Sequence, residues 1–204
     1  MADYETQVQH IDLRGYPLKV IGNLDNLRQN LLGVFCSQKC PGDLVLKGFD
    51  TVRQIRDQGI TVVSGFHSSM EKDVYEILLR GNQPIVHCLA RAIETYRIPS
   101  RLNLRIDRGQ LTIIAPYFPE NMKRMTKSTS ERSNALIMDI SDQVLIIHAQ
   151  KGGSLFKLIS SMTSLTGKVF VLESENNRDL LGLIPEPSAN LFHLKMNQAR
   201  ISGT

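Results

Sequence analysis

The chain has 204 residues, of which 42% are hydrophobic and 22% charged, and its formal net charge is +4. This composition supplies enough apolar residues for a domain-sized core, which excludes a disordered protein. No apolar run approaches the ~20 residues that a membrane span requires, and the polar N-terminus is not a secretory signal. We therefore expect a cytoplasmic protein without a membrane partner.

The excess positive charge lies in one segment. Residues 91–132 contain nine Lys or Arg and four Asp or Glu, a balance of +5, whereas the rest of the chain has 15 and 16, a balance of −1. Such a skew is typical of a protein that binds a polyanion, nucleic acid before membrane. A solvated basic face explains the charge alone equally well.

Short apolar runs alternate with helical patterns along the chain. Residues 1–30 show no strong period and predict an extended N-terminal arm that turns at Gly22-Asn23. Strands are predicted at 31–36, 60–63, 84–89, 102–106, 111–115, 144–147 and 168–172. Helices are predicted at 45–55, 68–81, 91–96, 128–140 and 155–165, with capping boxes at Ser68/Glu71 and Ser128/Glu131.

This alternation predicts a parallel sheet with right-handed crossovers and helices on both faces. The expected fold class is α/β, a Rossmann-like, doubly wound and mostly parallel sheet. We place this domain at 31–174, after the arm and before a polar C-terminal extension at 175–204, with a boundary marked by Pro185-Glu186-Pro187-Ser188. The G-x-G-x-x-G fingerprint is absent after the first buried strand, which disfavours a nicotinamide or flavin dehydrogenase.

Polar segments follow three strands of the predicted sheet. They are Ser37-Gln38-Lys39, Ser64-Gly65-Phe66-His67 and Lys151-Gly152-Gly153-Ser154. Ligands of open parallel sheets bind beyond the carboxyl ends of the strands, where glycine N–H groups and helix N-termini accept anions. The sequence therefore predicts an anion site at this edge, although tight turns into helices explain the same residues.

No catalytic or metal-binding constellation accompanies this edge. His67 and His148 have no patterned partner, and Asp142 is placed to cap a helix end or turn. The chain has no G-x-S-x-G elbow, H-E-x-x-H motif or Walker A loop. Its three cysteines, Cys36, Cys40 and Cys88, form a poor zinc signal and are expected to be reduced. We predict no nucleophile, no metal and no cofactor.

Several motifs carry a family resemblance. The run I-S-D-Q-V-L-I-I-H-A-Q-K-G-G-S-L, from Ile140 to Leu155, resembles the signature L-S-D-x-V-L-V-V-E-A-…-S-G-S-L of the DNA-processing protein A (DprA, or Smf) family. Other landmarks occur in the family's order: Tyr16-Pro17-Leu18 with Gly22-Asn23-Leu24, Leu32 to Ser37 for V-A-I-V-G-S-R, Ile60 to Gly65 for V-V-V-S-G, and Phe118-Pro119 for F-P. The resemblance spans Tyr16 to Ser174.

The resemblance implies a Rossmann-like domain that binds single-stranded DNA in a basic pocket, and a binding protein rather than an enzyme. The family protects incoming DNA during natural transformation, hands it to a RecA-type recombinase and commonly forms homodimers. The residues expected to bind nucleic acid or phosphate are Ser37, Gln38, Lys39, Ser64, Gly65, His67, Lys123, Arg124, Lys127, Arg132, Asn134, Lys151, Gly152, Gly153 and Ser154. Phe66, Tyr117 and Phe118 are the candidate stacking partners for bases.

Three departures from the family pattern predict an altered pocket. G-S-R becomes Cys36-Ser37-Gln38, S-G-x-A-R-G-I-D becomes the segment 64–71, and R-N-R-I-I becomes 133–137 with Arg132 displaced by one position. The alternative function is a nucleotide-ligand-binding or sensing protein of the same superfamily. Its nucleotide phosphoribohydrolases carry P-G-G-x-G-T-x-x-E, and because the segment 148–155 lacks the threonine and glutamate, we expect no hydrolase activity.

Overall fold

The computed structural model describes residues 8–162 and 168–184. Within them, one sheet contains β1 (Gln9–Leu13), β2 (Tyr16–Gly22), β3 (Leu32–Cys36), β4 (Val62–Ser64), β5 (Ile85–Cys88), β6 (Leu111–Pro116), β7 (Gln143–His148) and β8 (Val169–Val171). The helices are α1 (Gly42–Asp57), α2 (Ser69–Leu78), α3 (Asn103–Asp107), α4 (Lys127–Ile140), α5 (Ser154–Ser160) and α6 (Arg178–Leu181). Short 3-10 helices occur at Leu24–Arg28, Ile93–Thr95, Ser100–Leu102 and Glu175–Asn177. None of the helices described is both long and apolar enough to span a bilayer.

The strand order is β1-β2-β6-β5-β4-β3-β7-β8. Neighbours from β6 to β8 are parallel, whereas β2 pairs antiparallel with β6 and with β1. The chain builds outward from β3 to β6 and then crosses back to form β7 and β8 on the other side of β3. The resulting switch point between β3 and β7 opens a crevice beyond their carboxyl ends. The predicted doubly wound, mostly parallel sheet is confirmed.

The sheet is covered on both faces, and the core therefore has two layers. Val34 of β3 and Leu145 of β7 pack on the face that α1 and α2 cover. Their neighbours in sequence, Phe35 and Ile146, point to the other face and pack beneath α4 and α5. Because both faces are buried, these strands read as continuous apolar runs without alternation.

Within the predicted N-terminal arm, β1 and β2 form an antiparallel hairpin, and β2 pairs with β6. The arm is not extended throughout, because a 3-10 helix follows at Leu24–Arg28. Arg14 and Gly15 form the hairpin turn with φ of 55° and 84°. Tight two-residue hairpin turns require this left-handed backbone conformation. Arg14 forms a 2.8 Å ion pair with Asp142 at the start of β7. The second carboxylate oxygen of Asp142 accepts the backbone N–H of Leu31 at 2.8 Å. Asp142 therefore fixes the hairpin and the segment before β3 to β7. It does not cap a helix end or turn, as predicted, because its carboxylate bonds to groups that are distant in sequence.

Residues 102–106 are helical, so the predicted strand is wrong. Leu102 and Ile106 are buried, but Leu104 between them is 57% exposed. The apolar spacing that matters is therefore four residues, one helical turn, and the apparent alternation is accidental. Arg105 is also buried and donates to the carbonyl oxygens of Leu79, Gly81 and Gln83 at the end of α2.

Helix α4 begins differently from its prediction, whereas the capping box of α2 at Ser68 and Glu71 is confirmed. Thr126 and Thr129 form the box of α4 instead of Ser128 and Glu131. Starting the helix earlier in the chain leaves the Glu131 carboxylate free to reach the loop after β7. The predicted helix at 91–96 is limited to the 3-10 helix Ile93–Thr95, because Pro99 disfavours a helical conformation in the residue before it.

The predicted C-terminal extension starts with ordered structure. Leu180 of α6 is buried in the layer beneath α4 and α5. Helix α5 ends at Ser160, earlier than the predicted end at 165. The Pro185–Ser188 boundary and the tail beyond it lie outside the described residues.

Replacing Asp142 tests its anchoring role. We expect Asp142→Ala to lower the free energy of unfolding by about 1–3 kcal/mol, because the buried N–H of Leu31 loses its acceptor. Asp142→Asn keeps an acceptor oxygen and should lose less. Urea denaturation of both variants measures the difference, and an Asp142→Ala protein as stable as the wild type would contradict the assignment.

Candidate nucleic-acid interface

A first cavity of about 430 Å³ opens at the switch point, beyond β3 and β7. Seven of the predicted binding residues line it: Ser37, Gln38, His67, Lys127, Asn134, Gly153 and Ser154. Its other polar walls are Ser68, Glu71, Thr126, Ser130, Glu131 and Gln150. Hydroxyl and amide groups therefore dominate, and Lys127 shares this wall with the carboxylates of Glu71 and Glu131. This cavity is not the basic pocket that the resemblance implies.

Ser37 connects the loops on either side of the switch point. Its backbone N–H donates to the carbonyl oxygen of His148 at 2.8 Å. Its hydroxyl oxygen accepts the N–H of Gln150 at 2.9 Å. The hydrogen-bonding groups of Ser37 thus hold the loop after β3 against the loop after β7, which fixes the mouth of the first cavity.

Glu71 connects the loops after β3 and β4. Its carboxylate accepts backbone N–H groups from Cys36 at 2.9 Å, His67 at 2.7 Å and Ser68 at 3.2 Å. Burial raises the pKa of Glu71, and the three N–H donors act in the opposite direction by stabilising the charged form. A carboxylate so fully bonded serves to position the two loops and has little capacity left for a ligand.

The glycine turn after β7 is present but carries acidic partners. Gly152 has φ of +74° and Gly153 caps α5. The Ser154 hydroxyl donates to Glu131 at 2.8 Å, and Lys151 pairs with Asp179 at 3.1 Å. Two groups predicted to hold an anion are thus bound to carboxylates of the chain itself, and Lys151 and Gly152 lie outside both cavities.

A second cavity of about 490 Å³ lies next to the first, beyond β4 and β5. The predicted residues Gly65, His67, Lys123 and Arg124 line it, together with Phe66, His87, Leu89, Ala90, Arg91, Tyr96 and Met125. His67 and Met125 line both cavities. Among the described residues, the wall of the second cavity contains no carboxylate, so the positive charge lies here and not at the switch point.

Aromatic rings form the inner wall of the second cavity. Phe66, with φ of 52°, stacks on Tyr75 with ring centroids 4.2 Å apart. His87 contacts Phe66 at 5.3 Å and Tyr96 at 5.8 Å between centroids. The Arg91 guanidinium lies 4.9 Å from the centre of the Tyr96 ring, a cation–π arrangement. The strained Phe66 backbone is therefore held by this cluster.

Two neutral imidazoles belong to this wall. Burial lowers the pKa of His67 to about 4 and that of His87 to about 3. The ring of His67 lies directly on the α-carbon of Gly65, where a side chain would collide with it. Nε2 of His67 and Nδ1 of His87 have no hydrogen-bond partner in the described structure. Both rings are consequently uncharged at neutral pH.

The remaining predicted residues lie away from the cavities. Ser64 is fully buried and accepts the N–H of Phe66 at 3.3 Å. Lys39 is exposed outside both cavities, and Arg132 covers the Phe118 ring with its guanidinium carbon 5.2 Å from the ring centre. His148 is buried, as predicted for a core residue, and bonds to Asn177 at 2.8 Å.

The predicted stacking residues differ in exposure: Tyr117 is 38% exposed, and Phe66 lines the second cavity. Phe66 and Phe118 are buried, and Tyr117 contacts His10 and Lys19 at the hairpin.

Sequence reasoning missed Arg91, Tyr96, Glu71 and Glu131 as site residues. Arg91 follows β5, whose carboxyl end has no glycine turn and therefore gave no anion signal. The sequence signal that could have identified Arg91 was its position just beyond the carboxyl end of a predicted parallel strand. Within the described residues, no cluster of His, Cys, Asp or Glu could hold a metal ion.

The fold defines a Rossmann-like α/β protein, with two cavities at the carboxyl edge of its sheet. The chain belongs to the DNA recombination-mediator protein A family, whose model matches residues 1–182. This confirms the family resemblance. No curated protein matches the sequence.

Three solved structures share the fold. DNA processing protein A from Helicobacter pylori, described by its single-stranded DNA binding mode, is 15% identical, with a TM-score of 0.67 over 88% of this chain and 90% of that one. DNA processing protein A from Streptococcus pneumoniae is 14% identical, with a TM-score of 0.65 over 81% and 60%. A molybdenum cofactor binding protein from Rippkaea orientalis is 11% identical, with a TM-score of 0.52 over 76% and 83%. At these identities the likeness establishes the fold alone.

Glu71→Gln tests the loop anchor. We expect a loss of about 1–3 kcal/mol in the free energy of unfolding, because an amide group replaces one of the two acceptor oxygens. Glu76→Gln on the same helix is the control. That exposed carboxylate pairs with Arg101 at the surface, so the substitution should cost less than about 1 kcal/mol. A Glu71→Gln protein as stable as the wild type would indicate that the side chain is bound as a neutral acid.

The buried histidines predict a loss of stability in acid. Below a pH of about 6.5 the unfolded chain takes up protons that the folded rings, with lowered pKa values, do not accept. The free energy of unfolding therefore falls as the pH drops from about 6.5 to about 4 and is fully retained above this window. His87→Phe keeps a ring in the cluster and should reduce the slope by up to about 1.4 kcal/mol per pH unit. Urea denaturation across this range measures the slope, and identical slopes in both proteins would refute the prediction.

Proposed function

We propose that this protein binds single-stranded DNA along the carboxyl edge of its sheet. The observation that carries the proposal is the group formed by Arg91, Lys123 and Arg124 around the second cavity. None of the three forms an ion pair with a described carboxylate, whereas Lys127 and Lys151 do. Unpaired cations at an edge cavity attract phosphates, and family membership supports DNA as their source.

In this proposal the family's basic pocket is altered, because the cations line the second cavity instead of the first. The first cavity has Gln38 where the family has an arginine, and its hydroxyl and amide groups suit uncharged parts of a strand. The second cavity provides the cations. His67 and Met125, which line both, would lie beneath the strand where it passes from one cavity to the other.

The proposal extends to a role in DNA uptake and recombination, as a binding protein rather than an enzyme. The family's description as a recombination mediator supports protection of single strands and transfer to a RecA-type recombinase. The proposal also includes a homodimer, which sedimentation at several protein concentrations tests directly. A sedimentation coefficient that stays at the monomer value at every concentration would exclude the homodimer.

The salt dependence of DNA binding tests the main proposal. Binding of a labelled oligothymidine of about 20 nucleotides should weaken linearly in log K against log salt, with a slope of about −0.7 per phosphate contacted. The Arg91→Ala/Lys123→Ala/Arg124→Ala variant should reduce the magnitude of this slope by about 2. Fluorescence anisotropy measures both quantities.

The matched control removes the same charge from the opposite edge. Arg28, Arg80 and Arg108 are exposed and precede β3, β5 and β6, at the amino ends of the strands. Their triple alanine variant should retain the wild-type slope. Equal losses in both variants would indicate a nonspecific charge effect, and an absence of binding by the wild type at low salt would exclude the function.

The lining of the first cavity favours one alternative, a nucleotide-ligand-binding or sensing protein. Its hydroxyl and amide groups, such as Ser130 and Asn134, suit a small ligand with uncharged hydrogen-bonding groups. Thermal stabilisation by a mononucleotide but not by an oligonucleotide would favour this function.

A further inference from the structure

The second cavity combines three features that together define a ligand. Positive charge comes from Arg91, Lys123 and Arg124, and the described residues of the wall include no carboxylate. Tyr96 supplies a half-buried aromatic ring, with the Arg91 guanidinium on its face. The volume of the second cavity, about 490 Å³, lies within the range of cavities that bind small molecules, roughly 300–1,000 Å³.

We propose that the second cavity binds one nucleotide unit, with its phosphate at Lys123 and Arg124 and its base against the Arg91–Tyr96 pair. The planar guanidinium group and the phenol ring both stack on nucleobases, and they do so with little base preference. The cations neutralise the phosphate that a base carries with it. A purely electrostatic groove would not need the aromatic wall.

The histidines add hydrogen-bonding capacity at the same wall. Nε2 of His67 and Nδ1 of His87 have no partner within the described residues. A neutral imidazole nitrogen either donates or accepts, according to its tautomer. The edge of a base offers both kinds of group, so an unpartnered imidazole at a base-sized cavity suits this ligand better than an inorganic anion.

Two sources present this chemistry, a unit within a DNA strand and a free mononucleotide. The first source rests on the proposed function, whereas the second does not require it. The experiment compares an oligothymidine, an abasic strand of equal length that keeps its phosphates, and thymidine monophosphate. Tyr96→Leu removes the ring, Tyr96→Phe retains it, and Lys123→Ala/Arg124→Ala removes the cations.

We expect Tyr96→Leu to weaken oligothymidine binding by about tenfold, the cost of one lost base stack, without affecting the abasic strand. Tyr96→Phe should bind both strands as the wild type does, and Lys123→Ala/Arg124→Ala should weaken both. Circular dichroism before binding confirms that each variant is folded. Anisotropy reports strand affinity, and calorimetry reports binding of the monophosphate.

The outcomes separate the two proposals. Strand binding that is insensitive to Tyr96→Leu, or reduced equally for the two strands, overturns the base site and leaves the proposed function intact. Monophosphate binding that depends on Tyr96, without strand binding, supports the cavity as a free-nucleotide site and excludes the proposed function. Absence of binding by all three ligands overturns both.

Discussion

The buried Glu71 carboxylate is the interaction on which the carboxyl edge of this protein depends. A parallel sheet brings the ends of β3 and β4 together, but it does not fix the conformation of the loops that follow. Glu71 accepts the N–H of Cys36, the last residue of β3, and the N–H of His67 in the loop after β4. Its hydrogen bonds therefore set the position of the His67 ring, and with it the boundary between the two cavities.

The two cavities on either side of His67 differ in charge. At the switch point, Glu131 bonds to Ser154, and the backbone loops are joined through Ser37. Hydrogen bonds within the chain thus occupy polar groups that could otherwise contact phosphate. On the other side of His67, Arg91 and Lys123 line a wall whose described residues include no carboxylate. An anion gains more from these cations, because no carboxylate of the wall competes for them.

The fold could be predicted from the sequence because its signals are local and repeated. Buried parallel strands read as apolar runs, and the Ser68–Glu71 box marks a helix start unambiguously. The prediction failed at 102–106, where three apolar residues at every second position fit a strand, although only two of them are buried.

Half of the site was predictable for a similar reason, since strand ends with glycine turns mark the switch point. The rest depends on side-chain partners distant in sequence. Nothing local to Lys151 shows that Asp179 will bind it, and nothing local to Arg91 shows that it will bond to the carbonyl oxygen of Lys123.

The central claim is that a single strand of DNA lies on the carboxyl edge, over the second cavity. Titration of the ¹⁵N-labelled protein with oligothymidine, followed by amide NMR, locates the contact directly. The account predicts the largest shifts at 65–67, 89–96 and 123–125. Shifts confined to the amino edge, around Arg28, Arg80 and Arg108, would contradict it.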